Sequence, residues 1–354
     1  MSEKVLMKGN EALAESAIRA GCKFFFGYPI TPQTELAAYM AKRMPKVGGT
    51  YLQAESEIAA INMVYGASAA GARVMTSSSS PGISLKSEGV SYMAGADLPG
   101  VIVNIQRGGP GLGSIQPSQS DYWQATRALG HGDYQLIVYA PSTVQEMSNL
   151  VAKAFDKADE YRTPVMILGD GLLGQMMEPV VLPEERTELP EKPWATTGHH
   201  DERPHNIANS LYLDAEELEK TNIERFQRYE TIKAKEQMAE SFMTDDAEIV
   251  VVAFGASSRI ARTAVRNARA EGIKAGMVRP ITLWPFPTDA IRATLGTAKA
   301  FLSVEMNMGQ MVDDVKLTVA GAAPVEFYGR TGGVIPTPVE VLEKLRAMNE
   351  GLGE

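Results

Sequence analysis

Short apolar runs alternate with amphipathic stretches along the first 183 residues, the pattern of strands joined by crossover helices in a mostly parallel sheet. The runs place strands near 24–27, 49–53, 73–78, 100–106, 135–140 and 163–169. Residues with specific roles at helix ends lie between them. Asn10 is placed to cap a helix that ends at Gly21. Thr31 is placed to cap one that carries Pro32 at its first position. Ser142 and Gln145 have capping-box spacing. Six strands with crossover helices predict a doubly wound domain, in which ligands sit beyond the carboxyl ends of the strands. Thr31, the serine run Ser77–Ser80 and Arg107 all follow strand ends and could share one ligand edge.

A second α/β pattern starts at Glu248 with the run Ile249–Gly255. It continues through strands near 275–282, 300–306 and 325–329, with helices reaching about residue 348. The segment between the two patterns contains a long helix, about 214–241, whose Leu218, Ile223, Phe226, Tyr229 and Ile232 are spaced as one apolar face. The expected partition is therefore 1–183, a connector 184–246 and 247–354. No repeat of 20–50 residues is visible.

Composition narrows the function classes. A chain of 354 residues is expected to form two domains. Mean hydropathy is −0.13, and no uncharged apolar run approaches the roughly 18 residues of a membrane span. The net charge of −9 comes without a basic block, which argues against nucleic-acid binding. Most of that charge sits in 184–246, with 16 acidic and 8 basic residues. Met1–Val5 lacks the features of a signal peptide, so a cytoplasmic location is expected. A single cysteine, Cys22, rules out an internal disulfide and any iron–sulfur site built on several thiolates of this chain.

Candidate chemistry concentrates in a few places. No phosphate-binding sequence of the G-x-x-x-x-G-K-[ST] type occurs. The glycine-rich loop Gly108–Gly113 does not fit the dinucleotide fingerprint, so a nucleotide-binding dehydrogenase is poorly supported. Glu55 and Glu57 open a helix that is otherwise uncharged as far as Gly71. Either could simply complement the helix dipole, and the residues alone do not choose between them. Arg107 follows an apolar strand, where its planar fork would suit a carboxylate. His131 and the cluster His199–Glu202 read as loop and solvated-turn residues.

In order and spacing, Gly27–Pro32, Gln53–Asn62, Thr76–Gly82 and Gln106–Gly113 resemble the α subunit of the 2-oxoacid:ferredoxin oxidoreductases. The resemblance runs over nearly the whole chain. It implies a thiamine-diphosphate pyrimidine-binding, doubly wound parallel-sheet domain followed by a transketolase C-terminal-like α/β domain. It maps the cofactor-activating carboxyl on Glu57, followed by Gly66–Ala67, and leaves Glu55 an ordinary first-turn acid. Thr31 and Arg107 inherit contacts to the 2-oxoacid carboxylate, and Ser78 and Ser79 could line the cofactor pocket or merely permit close packing.

Gly169–Gly171 starts like the magnesium–diphosphate motif of thiamine enzymes, but the next asparagine, Asn206, is too distant. The motif is therefore expected in a β subunit that shares thiamine diphosphate and holds magnesium. Iron–sulfur clusters would lie in partner chains, with a γ subunit and a ferredoxin-like δ subunit completing the enzyme. Ferredoxin and coenzyme A would be co-substrates. Ala54–Ala67, Arg107–Gly113 and Gly174–Met176 look most like the 2-oxoisovalerate (branched-chain) type, with the 2-oxoglutarate type as the alternative. A second substrate carboxylate finds no evident partner, since Arg73 lies away from the ligand edge and Arg127 alone stays open. A non-catalytic scaffold subunit remains a further alternative. Glu305–Gln310 and Gly329–Gly333 also resemble family sequence, and read as packing and inter-subunit surface.

Overall fold

The computed structural model describes residues 4–352. Met1–Glu3, on which the expected absence of a leader partly rests, and Gly353–Glu354 lie outside the described residues. Strands of the first half are β1 (Val5–Lys8), β2 (Phe24–Gly27), β3 (Thr50–Gln53), β4 (Val74–Ser78), β5 (Gly100–Gln106), β6 (Ile137–Tyr139), β7 (Pro164–Asp170) and β8 (Met177–Val180). The second half adds β9 (Ala239–Phe242), β10 (Ile249–Val252), β11 (Ala275–Pro280), β12 (Thr282–Trp284), β13 (Ala300–Glu305) and β14 (Val325–Gly329). One sheet runs β12-β6-β7-β5-β4-β2-β3 and another β14-β13-β10-β11-β9, while β1 and β8 form a small antiparallel ribbon.

The six expected strands of the first sheet are present and pair in parallel. Their apolar runs follow from burial on both faces: every residue of β4, β5 and β7 is buried. The chain passes from β2 outward to β3 and then returns to place β4 on the other side of β2. The carboxyl ends of β2 and β4 therefore flank the switch point where ligands of open α/β sheets bind.

The two sheets exchange edges. β12 pairs antiparallel with β6 of the first sheet, and β9, from the charged connector, pairs antiparallel with β11 of the second. Each covers an edge whose backbone groups would otherwise be unpaired. Arg279 on β11 fastens the crossing. Its buried guanidinium bonds Glu146 at 2.9 and 2.7 Å and Glu240 at 2.9 Å.

Several helix ends differ from the sequence expectation. Asn10 does not cap its helix, which is Gly9–Arg19; its amide donates to Pro32 O at 2.9 Å instead. That contact helps hold residues 30–33 as a turn, with Gln33 N bonded to Ile30 O, so Thr31 is not an N-cap and the helix begins at Thr34. At the next site the cap is Thr143 rather than Ser142. Thr143 accepts from Glu146 N, while the Glu146 carboxylate reaches back to Ser142 N and Oγ. The long connector helix is Ala215–Lys235, and its inward face is Arg225, Tyr229 and Ile232. Ile223 is exposed, and Leu218 and Phe226 are only partly covered. Arg225 displaces them because Asp97 accepts its Nε at 3.2 Å, giving the helix a polar anchor on the first domain. Among the described residues no helix is long and apolar enough to cross a membrane.

Asp170 ends β7 and accepts backbone N–H groups from Leu172 and Leu173 at 2.9 and 3.0 Å. Full burial pushes its carboxyl up from 3.8 to about 6, against the pull of those N–H groups and of Ala256 N–H. A raised folded-state value means the folded chain keeps a proton the unfolded chain has released, so the ionised form costs stability above pH 6 and the cost fades towards pH 4. Relative to Asp170→Asn, wild type should lose stability as pH rises from 4 to 7, by at most about 3 kcal/mol. Urea unfolding of both chains across that range checks the sign.

Candidate active site at the switch crevice

Three segments converge at the carboxyl ends of the first sheet. The helix Glu57–Ala69 follows β3, with Ser56 as its N-cap accepting from Ala59 N at 3.2 Å. This places Glu57 in the first helical turn, where it is only 6% exposed, while Glu55 just before it is exposed. Glu57 faces the helix Ser80–Gly95 at Gly82. A Cβ on Gly82 would lie 2.6 Å from Glu57 Oε1 and 2.1 Å from Ser78 Oγ, so only glycine admits the carboxylate there.

The serine run divides by role. Ser77 Oγ donates to Gln33 Oε1 at 2.6 Å, and the Gln33 amide donates to Tyr28 O at 3.1 Å, tying β4 to the turn after β2. The hydroxyls of Ser78 and Ser79 are buried and have no hydrogen-bond partner, although a buried hydroxyl ordinarily finds one. They lie beside Glu57 and at the entry to the next helix, where a polar ligand atom would satisfy them. One turn below Gly82, fully buried Lys86 donates to Thr76 Oγ1 at 2.7 Å and Ser77 O at 3.0 Å. Burial lowers its ammonium to about 7, and the Glu57 charge opposes that shift.

Arg107 follows β5 and is 8% exposed. Its Nη1 donates to Thr31 O at 3.0 Å, bringing together the two residues expected at the substrate carboxylate, and its Nε is buried without a partner. Thr31 itself is exposed at the rim. The Arg107 backbone N–H donates to Ser80 Oγ at 3.1 Å. The same hydroxyl donates to Asp121 Oδ2 at 2.5 Å, which also accepts from Asn104 Nδ2 at 2.9 Å. Burial raises the Asp121 carboxyl, while the Ser80 and Asn104 hydrogen bonds and the Arg107 charge hold it down.

The second unit braces this framework. Gln119 exchanges hydrogen bonds with Met306 and donates to Phe254 O at 2.8 Å, and Asn307 donates to Gln119 O at 2.8 Å. Gln310 bonds Ser120 O and Trp123 N. The buried Glu305 carboxylate shapes that loop by accepting from Met311 N and Val312 N at 2.8 and 2.9 Å. Thus much of Glu305–Gln310, expected as packing and inter-subunit surface, packs within this chain, and only Met308 is largely exposed. Gly332 and Gly333 likewise lie against Gly108 and Gln116. The glycine loop is closed tightly: Gly113 has φ +57°, and a Cβ there would sit 1.7 Å from Gly108 O.

Other candidates lie apart. Arg73 is buried against Asp156 and Asp159 at 2.9 and 2.8 Å, and Arg127 bonds Asp314 at 2.9 Å, so both are committed elsewhere. His131 is exposed. The rings of His199 and His205 lie against each other at a tilt, centroids 3.8 Å apart, and no metal-binding cluster of acidic, histidine or cysteine residues occurs among the described residues. The sequence reading missed Lys86, Asn104 and Asp121, and gave Gly82, quoted within a family motif, no role of its own. Lys86 did carry a signal, being a charge in line with Ile83, Val90 and Met93 one turn after Gly82. Asn104 and Asp121 meet only through folding.

Residues 15–246 match the family described as pyruvate flavodoxin/ferredoxin oxidoreductase, thiamine diphosphate-binding, and residues 247–341 match pyruvate:ferredoxin oxidoreductase core domain II. The ketoisovalerate oxidoreductase subunit VorB of Methanothermobacter thermautotrophicus is 51% identical over 342 residues, covering 96% of this chain and 97% of that protein. The 2-oxoglutarate synthase subunit KorA of the same organism is 39% identical over 380 residues, covering 99% of this chain and all (100%) of that protein. The 2-oxoglutarate:ferredoxin oxidoreductase from Magnetococcus marinus, solved with 2-oxoglutarate, coenzyme A and succinyl-CoA bound, superposes with a TM-score of 0.86 at 28% identity. It covers 98% of this chain and 66% of that one. A split-gene transketolase at 14% identity and a TM-score of 0.61, covering 99% of each chain, shares the fold. The crevice that gathers Glu57, Ser78, Ser79 and Arg107 thus lies in a thiamine-diphosphate-binding domain, and the chain belongs to the pyruvate flavodoxin/ferredoxin oxidoreductase family.

Proposed function

We propose that this chain is the α subunit of a thiamine-diphosphate-dependent 2-oxoacid:ferredoxin oxidoreductase acting on 2-oxoisovalerate. The 2-oxoacid anion, coenzyme A and two oxidised ferredoxins give acyl-CoA, carbon dioxide, two reduced ferredoxins and a proton. The reading rests above all on Glu57, a buried carboxyl on a rigid helix start, facing a glycine cradle beside two unpartnered hydroxyls. When bound, thiamine diphosphate supplies the nucleophilic carbon and the electron sink for decarboxylation. Glu57 holds a hydrogen bond at N1′ of its aminopyrimidine, a position that calls for a carboxyl sheltered from water. Ser78 and Ser79 offer hydroxyls to the cofactor. Arg107 has the unpartnered Nε to bind the substrate carboxylate, and Thr31, held through its carbonyl, presents its hydroxyl at the same rim.

The branched-chain substrate is favoured by two observations. The ketoisovalerate relative shares more identity than the 2-oxoglutarate relative. Neither Arg73 nor Arg127 is free for a second carboxylate, as 2-oxoglutarate would require. A β subunit would bring magnesium and the diphosphate site. It would cover the exposed apolar side chains of Tyr28, Leu52 and Ile58 beside Glu57. γ and ferredoxin-like δ subunits would carry the iron–sulfur clusters, in keeping with the single cysteine here. We assign 1–183 as the pyrimidine-binding domain, 184–246 as a connector and 247–354 as the transketolase C-terminal-like domain, in a cytoplasmic enzyme.

The central test is a substrate panel on the assembled complex with a viologen acceptor. 2-Oxoisovalerate should exceed 2-oxoglutarate in kcat/KM, and the isolated chain should be colourless and inactive. Preference for 2-oxoglutarate would overturn the substrate assignment, and turnover by the isolated chain would overturn the split-subunit one.

Glu57→Gln in the complex should slow C2 deuterium exchange on bound thiamine diphosphate by roughly 10²–10⁴-fold, with Glu55→Gln much milder. The reverse order would move the activating role to Glu55.

Arg107→Lys should lower kcat/KM roughly 10- to 100-fold, because an ammonium cannot reproduce a planar two-point contact. Substrate-free C2 exchange should stay near wild type. A collapse of that exchange would instead place Arg107 in cofactor positioning.

A further inference from the structure

Asp121 is only 9% exposed and has no part in the chemistry assigned above. Its place in the fold ties it to Arg107. The Arg107 side chain is held at its far end, where Nη1 donates to Thr31 O at 3.0 Å, while its Nε is buried without a partner. With the far end fixed, the direction of that free N–H depends on the other end, the Arg107 backbone. There the N–H donates to Ser80 Oγ at 3.1 Å. A hydroxyl has a single proton to give. Asp121 Oδ2 takes it at 2.5 Å, and the competing acceptor, Arg107 O, is 3.3 Å away. With its proton on Asp121, Ser80 Oγ keeps a lone pair for the Arg107 N–H. Asn104 locks the same arrangement from a second side. Its Nδ2 donates to Asp121 Oδ2 at 2.9 Å, and its Oδ1 accepts from Ser80 N at 3.1 Å. Asp121 is itself fixed: its N–H donates to Gln106 Oε1 at 3.0 Å, and Asn307 and Gln310 hold the carbonyls of Gln119 and Ser120 just before it.

We propose that Asp121 is a positioning residue for substrate binding: by taking the Ser80 proton, it fixes the backbone from which Arg107 reaches the 2-oxoacid carboxylate. This rests on the Arg107 assignment above. The joint requires an acceptor oxygen at Asp121 and no charge, so asparagine can supply it and alanine cannot. Without that acceptor, Asn104 loses a buried partner, and the Ser80 proton has only Arg107 O to turn to, which pulls on the peptide that the joint holds still. Asp121 acts through Ser80 and Arg107.

The test uses the assembled complex and its preferred 2-oxoacid. Steady-state kinetics and substrate-free C2 exchange are measured for wild type, Asp121→Ala, Asp121→Asn, Arg107→Lys and the double variant Asp121→Ala/Arg107→Lys. Asp121→Ala should lower kcat/KM roughly tenfold, within the loss that a misplaced binding group causes, and leave C2 exchange near wild type. Asp121→Asn should restore most of the lost kcat/KM. In the Arg107→Lys background, Asp121→Ala should cost almost nothing further, because groups that act as one unit are not additive. A merely structural role would carry the same tenfold loss into that background, and such additivity overturns the proposal. An unchanged kcat/KM in Asp121→Ala, a collapse of its C2 exchange, or an Asp121→Asn variant as impaired as Asp121→Ala overturns it as well. If Asp121→Ala does not assemble, Ser80→Ala, which removes the linking hydroxyl itself, takes its place in the cycle with the same expectation. A normal kcat/KM in Arg107→Lys alone defeats the Arg107 reading and, with it, the role of Asp121. An impaired Arg107→Lys with an additive Asp121→Ala defeats the Asp121 assignment alone.

Discussion

The buried carboxylate of Asp121 is the joint on which the crevice depends. It receives hydrogen bonds from Ser80 and Asn104, and Ser80 in turn accepts from the backbone of Arg107. The Asp121 backbone N–H donates to Gln106 Oε1, closing the ring on the strand that carries Arg107. In a low-dielectric interior such a network holds together or fails together, because each lost partner strands another buried polar group. The backbone at Arg107 is therefore fixed by four buried side chains, Ser80, Asn104, Gln106 and Asp121.

That joint extends the site beyond the first sheet. Gln119 and Ser120, the residues just before Asp121, are held by Met306, Asn307 and Gln310 of the second unit. Glu305 organises those three by capping the helix that follows them. The strand exchange through β9 and β12 and the bonds of Arg279 to Glu146 and Glu240 make the attachment rigid. The second unit thus contributes to the crevice by fixing the geometry of the loop behind Arg107, and its Asn307, Met308, Gln310 and Thr331 line the cleft beside Ser80 and Gly109–Gly111.

The crevice also shows why small residues recur where the chemistry lies. Gly82 leaves room for Glu57 against Ser78, and the serines put hydroxyls on the wall without filling it. The apolar side chains of Tyr28, Leu52 and Ile58 are exposed at the surface.

Much of the architecture was legible from local pattern. Fully buried parallel strands need unbroken apolar runs, and those runs located β2 to β7, β10, β11, β13 and β14 within a few residues. Position after strand ends put Thr31 and Arg107 at one edge of the sheet, and the family resemblance, not the spacing, singled out Glu57 and gave all three their expected roles. Local pattern did not separate Glu55 from Glu57, since two acids in one first turn look alike until packing buries one and exposes the other. It also misplaced the helix caps at Asn10 and Thr31, where a hydrogen bond between residues 22 positions apart overrode local preference. The exchange of β9 and β12 and the Asp121 joint were decided by tertiary structure alone. Each joins groups that are remote in sequence, and a short-range pattern carries no information about which distant polar atoms will share one dry interior.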